Sequence, residues 1–478
     1  MRSARAWRAL AALSLVACAN PGLEGSGSLP ELADAARLPA RLVLVSVAGM
    51  GVEQTRAEPG APASMPTVAA LGRAGARAAG VDAVAPATSY PAHATLVTGR
   101  LPAHHGITAD RVLGAHGSES RRATPRPALR TPALWDAVAD SGRRSVALGW
   151  PGSNAGRIDL VFPERFELAP DVVWKDWIES HLSPGLLEPA MRRGAADPSI
   201  ADDGPARDRL LVGLACDVLG SSTPPALLLV HLSQAAPALA AAGPDSERAA
   251  TALASTDSEI ARLVDCLRDE GFLESSAILV VGSHGASSVD TAVHPNVLLR
   301  EAGLVVPASD SRAPARWTAW VSANGGSGLV HARGEDDARL ARRALEALAA
   351  RSGAFRIVAA RELLARGADR EAWFGLEAAE GFWIGEAIDA PLLAPAPVRA
   401  GWGSLEGAAA PGFVAWGRGL RSGTQIDTLR QVDVAPTVAR LLGFEIGELD
   451  GAPVAGLLGL PAVAAARDAA DEETSNGP

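Results

Sequence analysis

The segment ATSYPAHATLVTGR, residues 87–100, sets a hydroxyl residue, Ser89, just ahead of an apolar stretch that closes on Thr98-Gly99. A serine hydroxyl becomes a nucleophile only when a base, a metal ion or a lowered pKa activates it. Far along the chain, Ser283-His284-Gly285 follows another apolar run. If His284 served Ser89 as base, an orienting acid and an oxyanion hole would also be required. Ser283, its neighbour, cannot be that acid. The alternative role for Ser89 is that of a helix N-cap, and for His284 that of a histidine hydrogen-bonded to its own loop.

These residues need elements to hold them. RLVLVSV (41–47), RRSVALGW, ALLLVHL and SAILVVG are short apolar runs rich in branched residues, and amphipathic stretches such as SERAATALASTDSEIARLVDCLRDEG lie between them. Buried strands alternating with helices predict an α/β fold around a mostly parallel sheet covered on both faces. Sites in such sheets form at the carboxyl ends of the strands, where Ala48, Ser89, Ser283 and His284 all fall. Residues 307–385 are less regular and read as a small inserted subdomain, with WTAWVSANGGSGLVHAR as a hairpin. Strand and helix signals return at GFVAWG and DVAPTVARLLG.

Composition narrows the function. The chain has 478 residues, 48% of them hydrophobic, and a net charge of −10. It has no basic cluster beyond its first residues, which argues against a nucleic-acid partner. Residues 1–17 carry Arg2, Arg5 and Arg8 ahead of an apolar run too short to span a bilayer, and read as a signal peptide. Leu15-Val16-Ala17-Cys18 resembles a bacterial lipobox, which implies cleavage before Cys18 and its lipidation. Residues 18–39 then form a tether, 40–460 the folded domain, and 461–478 a disordered acidic tail. The expected location is the cell envelope, with the membrane as partner through the anchor; Ala19 after Cys18 favours the outer membrane. Cys216 and Cys266 are either buried thiols or a disulfide, a choice the sequence leaves open.

The ordered blocks VSVAGMG, ATSYPAHATLVTGRLPAHHGI, GWPGS, VVGSHGASS and FVAWGRGL…QVDVAPTVARLLGF resemble the nucleotide pyrophosphatase/phosphodiesterase family of the alkaline phosphatase superfamily, from about residue 41 to 456. The resemblance implies an alkaline-phosphatase-like three-layer sandwich and hydrolysis of phosphate esters with two zinc ions. Ser89 matches the nucleophile position, ahead of a helix whose N-terminus would favour an anion. The metals would ionise the hydroxyl and stabilise the leaving oxygen.

The ligand set departs from the family pattern. Ala48 stands where the first aspartate is expected. Aligning Gly243-Pro244 puts Ala236 and Ala240 at an Asp and a His position, and residues 232–244 contain no Asp, Glu or His before Pro244. Ser283 replaces the aspartate of an S-D-H-G motif, leaving His284, and Ala400 falls at the last histidine. Asp110 replaces an asparagine that helps to hold phosphate, and a carboxylate there repels an anion. His93 and His105 sit in motif positions that are not zinc ligands, and Tyr90 packs as the family's Phe does. A zinc site takes three or four protein ligands, so no cofactor is expected. The expectation is a catalytically degenerate, exported, lipid-anchored homologue with a binding or scaffolding role and an unidentified ligand or protein partner. The alternative is an active hydrolase that uses Ser89, two zinc ions and a rebuilt site.

Overall fold

The computed structural model describes residues 29–30, 36–56, 64–112, 121–122, 129–164, 173–197, 199–202, 204–308, 314–407 and 409–460. Residues 1–17, expected to be a signal peptide, Cys18, most of the expected tether and the expected tail 461–478 lie outside them. The central sheet has eight strands: β1 (Arg41–Val47), β2 (Ala76–Ala78), β3 (Ser145–Leu148), β4 (Leu160–Phe162), β5 (Leu227–Leu232), β6 (Ser276–Gly282), β7 (Phe413–Gly417) and β8 (Thr424–Ile426). Their order is β8-β2-β7-β6-β1-β5-β3-β4. The block from β6 to β4 is parallel, and β7 runs antiparallel to β6. This is the mixed α/β architecture expected, with the first strand at the centre.

Strand β1 shows why both faces must be covered. Its side chains alternate, so Val43, Val45 and Val47 enter one core and Leu42 and Leu44 the other. The first core is closed by α1 (Pro66–Ala74), α4 (Gly204–Leu219), α5 (Ala235–Ala242) and α6 (Glu247–Asp269). The second is closed by α2 (Ser89–Thr98), α3 (Leu134–Asp140) and α8 (Val434–Leu442). Helix α2 is buried from Tyr90 to Thr98 and stops at Gly99, whose φ of 66° is a left-handed C-terminal cap.

Cys216 of α4 and Cys266 of α6 are joined in a disulfide, resolving the choice the sequence left open. Asp257 of α6 accepts from the backbone N–H groups of Thr67 and Val68 at 2.8 and 2.9 Å, capping the start of α1. Asp208 of α4 likewise accepts from Ser233 and Gln234 just past β5.

A second sheet lies beyond β6. Ala319–Ala323 and Ser327–Ala332 form the expected hairpin, continued antiparallel by Phe374–Ala378 and Phe355–Ala359. Helix α7 (Glu335–Ser352) packs on it through Ala341, Leu345 and Leu348, and a core of its own runs from Val293 to Ile388. A short strand, Ala400–Gly401, pairs with Ser287 and Ser288 and so brings position 400 back beside the segment that follows β6 and His284.

Candidate functional site

The carboxyl ends of β1, β5 and β6 meet as the strand order requires. Ala48 N–H donates to Leu232 O at 3.0 Å, and Ser283 N–H donates to Val47 O at 3.2 Å. Arg399 N–H donates to Ala240 O at 2.6 Å, which joins Ala400 to α5. Positions 48, 236, 240, 283, 284 and 400 are therefore gathered by neighbouring turns, although most carry no donor. Leu239 lies over the β1 turn, against Gly49, whose φ is 75°.

His284 is buried, and its Nδ1–H donates to the Gly285 carbonyl at 3.0 Å. Its ring stacks on Trp402, with centroids 5.3 Å apart and planes 22° from parallel. Burial lowers its pKa, opposed by the Gly285 carbonyl and by nearby Asp110. The Ser283 hydroxyl beside it is fully buried and has no hydrogen-bond partner among the described residues.

Ser89 is the first residue of α2, and Thr88 occupies the N-cap with no side-chain bond to the helix amides. The N-cap alternative for Ser89 is thus corrected by one residue. The capping is done across the chain: Asp110 Oδ1 accepts from Tyr90 N–H at 2.7 Å and Oδ2 from Ser89 N–H at 3.4 Å. Burial pushes the Asp110 carboxyl up, opposed by the Tyr90 amide and His284.

Behind Ser89 lies a cluster that the sequence did not reveal. Ser46 and His231 are register partners on β1 and β5 and so face the same side. The Ser46 hydroxyl donates to His93 Nε2 at 2.8 Å, and His231 Nδ1 lies 3.1 Å from the same nitrogen and 3.3 Å from Ser46 Oγ. His93 Nδ1 is 2.7 Å from the Ser89 carbonyl oxygen. A carbonyl only accepts, so Nδ1 carries the proton and Nε2 is the acceptor.

Burial drops the His93 pKa to about 3 and that of His231 well below its ordinary value, so both rings are neutral. The Ser89 hydroxyl is 3.5 Å from His93 Nδ1, but that nitrogen is already protonated and cannot take the hydroxyl proton. His93 is a spacer between α2 and the sheet, with Trp150 edge-on to its ring at 4.9 Å. His105, also neutral with a pKa of about 3, bonds Thr95 Oγ1 at 3.0 Å. Tyr90 is buried.

The donors do not fit a zinc pair. Among the described residues no three or more His, Cys, Asp or Glu side chains form a group that could hold a metal ion. His93 and His231 are turned on each other and on Ser46.

An α/β chain with helices on both faces of a largely parallel sheet, and a serine-headed helix at the strand ends, has the architecture of the alkaline phosphatase superfamily. The chain matches the family described as type I phosphodiesterase/nucleotide pyrophosphatase over residues 42–387, and it belongs to that family. Solved structures similar to it are those of murine ectonucleotide pyrophosphatase/phosphodiesterase 5, of an inactive variant of that murine protein in complex with AMP, and of the human protein. Each is 16% identical with a TM-score of 0.61, over 86% of this chain and 97% of the other. At that identity the likeness is one of fold. No curated protein matches the chain. No described helix is long and apolar enough to cross a membrane.

Proposed function

We propose that this chain is a non-hydrolytic member of the phosphodiesterase family, exported and lipid-anchored at Cys18, that uses its former catalytic cleft for binding or scaffolding. The observation that carries the reading is the donor set: of six ligand positions gathered at the strand ends, His284 alone bears a metal-binding side chain, and it is stacked on Trp402. Among the described residues His93 gives Ser89 no base either, because the ring nitrogen nearest its hydroxyl presents an N–H. Without metal or base a serine hydroxyl is a poor nucleophile near neutral pH. Export is supported by the signal-like residues 1–17 and by the Cys216–Cys266 disulfide, a bond that persists mainly in oxidising compartments.

The test is metal analysis of the purified full chain, combined with hydrolysis of bis-p-nitrophenyl phosphate with and without added zinc. The expected result is substoichiometric zinc and a background rate that Ser89→Ala leaves unchanged. Two bound zinc ions per chain, or turnover lost on Ser89→Ala, would overturn the reading. Labelling with radioactive palmitate, abolished by Cys18→Ala, tests the anchor.

A further inference from the structure

A cleft of about 860 Å³ beside the former ligand positions, bordered by their neighbours Gly49, Leu239, Gly285 and Gly401, is lined by Glu53, Asp245, Glu377 and Glu380, with Trp402 and Phe382 among its walls and, among the described residues, no lysine or arginine. That volume suits a small-molecule site, but its charge is the wrong sign for a phosphate ester. Glu377 is spent within the protein, accepting from the Ser404 hydroxyl and from Leu405 N–H. Glu53 lies 3.8 Å from the Arg56 guanidinium. Asp245 and Glu380 stand exposed at the rim; Asp245 accepts from the Ser288 hydroxyl at 3.2 Å, and no ion pair to either is present among the described residues.

The helix terminus that would receive an anion is separately closed. The Ser89 and Tyr90 amides already carry the Asp110 carboxylate, which any phosphoryl group would have to displace against like charge. Trp402, backed by His284, stays part-exposed and supplies an indole surface of the kind that attracts cations.

We propose that this cleft binds an organic cation, an ammonium or guanidinium group held between the aromatic wall and the rim carboxylates. The inference rests on the non-hydrolytic reading and names the class of ligand that the cleft would take.

The experiment is isothermal titration of the full chain with agmatine, and separately with AMP and inorganic phosphate, after zinc content has been measured on the same sample. Agmatine is expected to bind one to one, and AMP and phosphate to give no heat. The double variant Asp245→Asn/Glu380→Gln should weaken agmatine about tenfold. Both residues are exposed, so this variant is expected to fold; its melting curve checks that. Trp402→Ala should weaken binding independently of the rim charges.

Absence of agmatine binding, agmatine binding unaffected by the rim variant, or saturable binding of AMP or phosphate would each overturn the inference. A zinc-free, non-hydrolysing sample that ignores agmatine sinks this inference alone. A zinc-loaded hydrolysing sample sinks the reading beneath it.

Discussion

Asp110 and Asp257 do similar work at two helix starts, each meeting a pair of backbone N–H groups with one carboxylate. Asp110→Ala should cost about 1–3 kcal/mol, because it strips partners from the Ser89 and Tyr90 amides; urea denaturation measures this. Asp257 is raised by burial to about 6 and Asp208 to about 7. Both values lie above that of an unfolded aspartate, so the native state holds protons that the unfolded chain has released. Stability therefore falls as pH rises from about 4 to 6 for Asp257, and on to about 7 for Asp208, and is flat above. For Asp257 the span is at most roughly 3 kcal/mol. Asp257→Asn should flatten the fall in urea midpoint between pH 4 and 6, whatever its own cost. Equal slopes in both proteins would show Asp257 titrating normally. At this scale only part of the site is legible in the sequence. Ser89 and His284 stand in legible motifs, and Ala48, Ala236, Ala240 and Ala400 are legible as departures from the family pattern. Ser46 and His231 are single polar residues inside apolar runs, and only strand register sets them side by side. Asp110 reaches α2 across 20 positions, so its capping role leaves no local trace.

At the scale of elements, apolar periodicity was enough to expect the parallel sheet and its helical cover. Strand order was not readable from it. Placing β1 between β5 and β6 is a matter of long-range pairing, and that placement is what brings Ala48, Leu232 and Ser283 together. The α4–α6 disulfide was equally out of reach, since two cysteines in two helices fix neither distance nor facing. It closes a separation of 50 residues, worth about 4 kcal/mol if it acts by restricting the unfolded chain. Reduction, or Cys216→Ser with Cys266→Ser, should lower the melting temperature by roughly 5 °C. Thermal melts with and without dithiothreitol check this. No change would mean the thiols are free in the native protein.

For the molecule as a whole, the body built on the central sheet and the second sheet meet at one cleft. The three-layer body buries β1 on both faces, and the second sheet packs around α7 with a separate apolar cluster. Urea unfolding followed by hydrogen exchange should show β1, β5 and β6 as the slowest set and the sheet of residues 319–378 as a distinct, faster one. Uniform protection across both would show that they open together. The cleft draws its floor from Gly49 and Gly285 at the ends of the first set and part of its wall from Glu377 and Ala378 of the second. Any molecule lodged there is held by both at once. Occupancy would then register as slower amide exchange in a sheet that carries none of positions 48, 236, 240, 283, 284 and 400, so the cleft can be screened for ligands without an enzymatic assay.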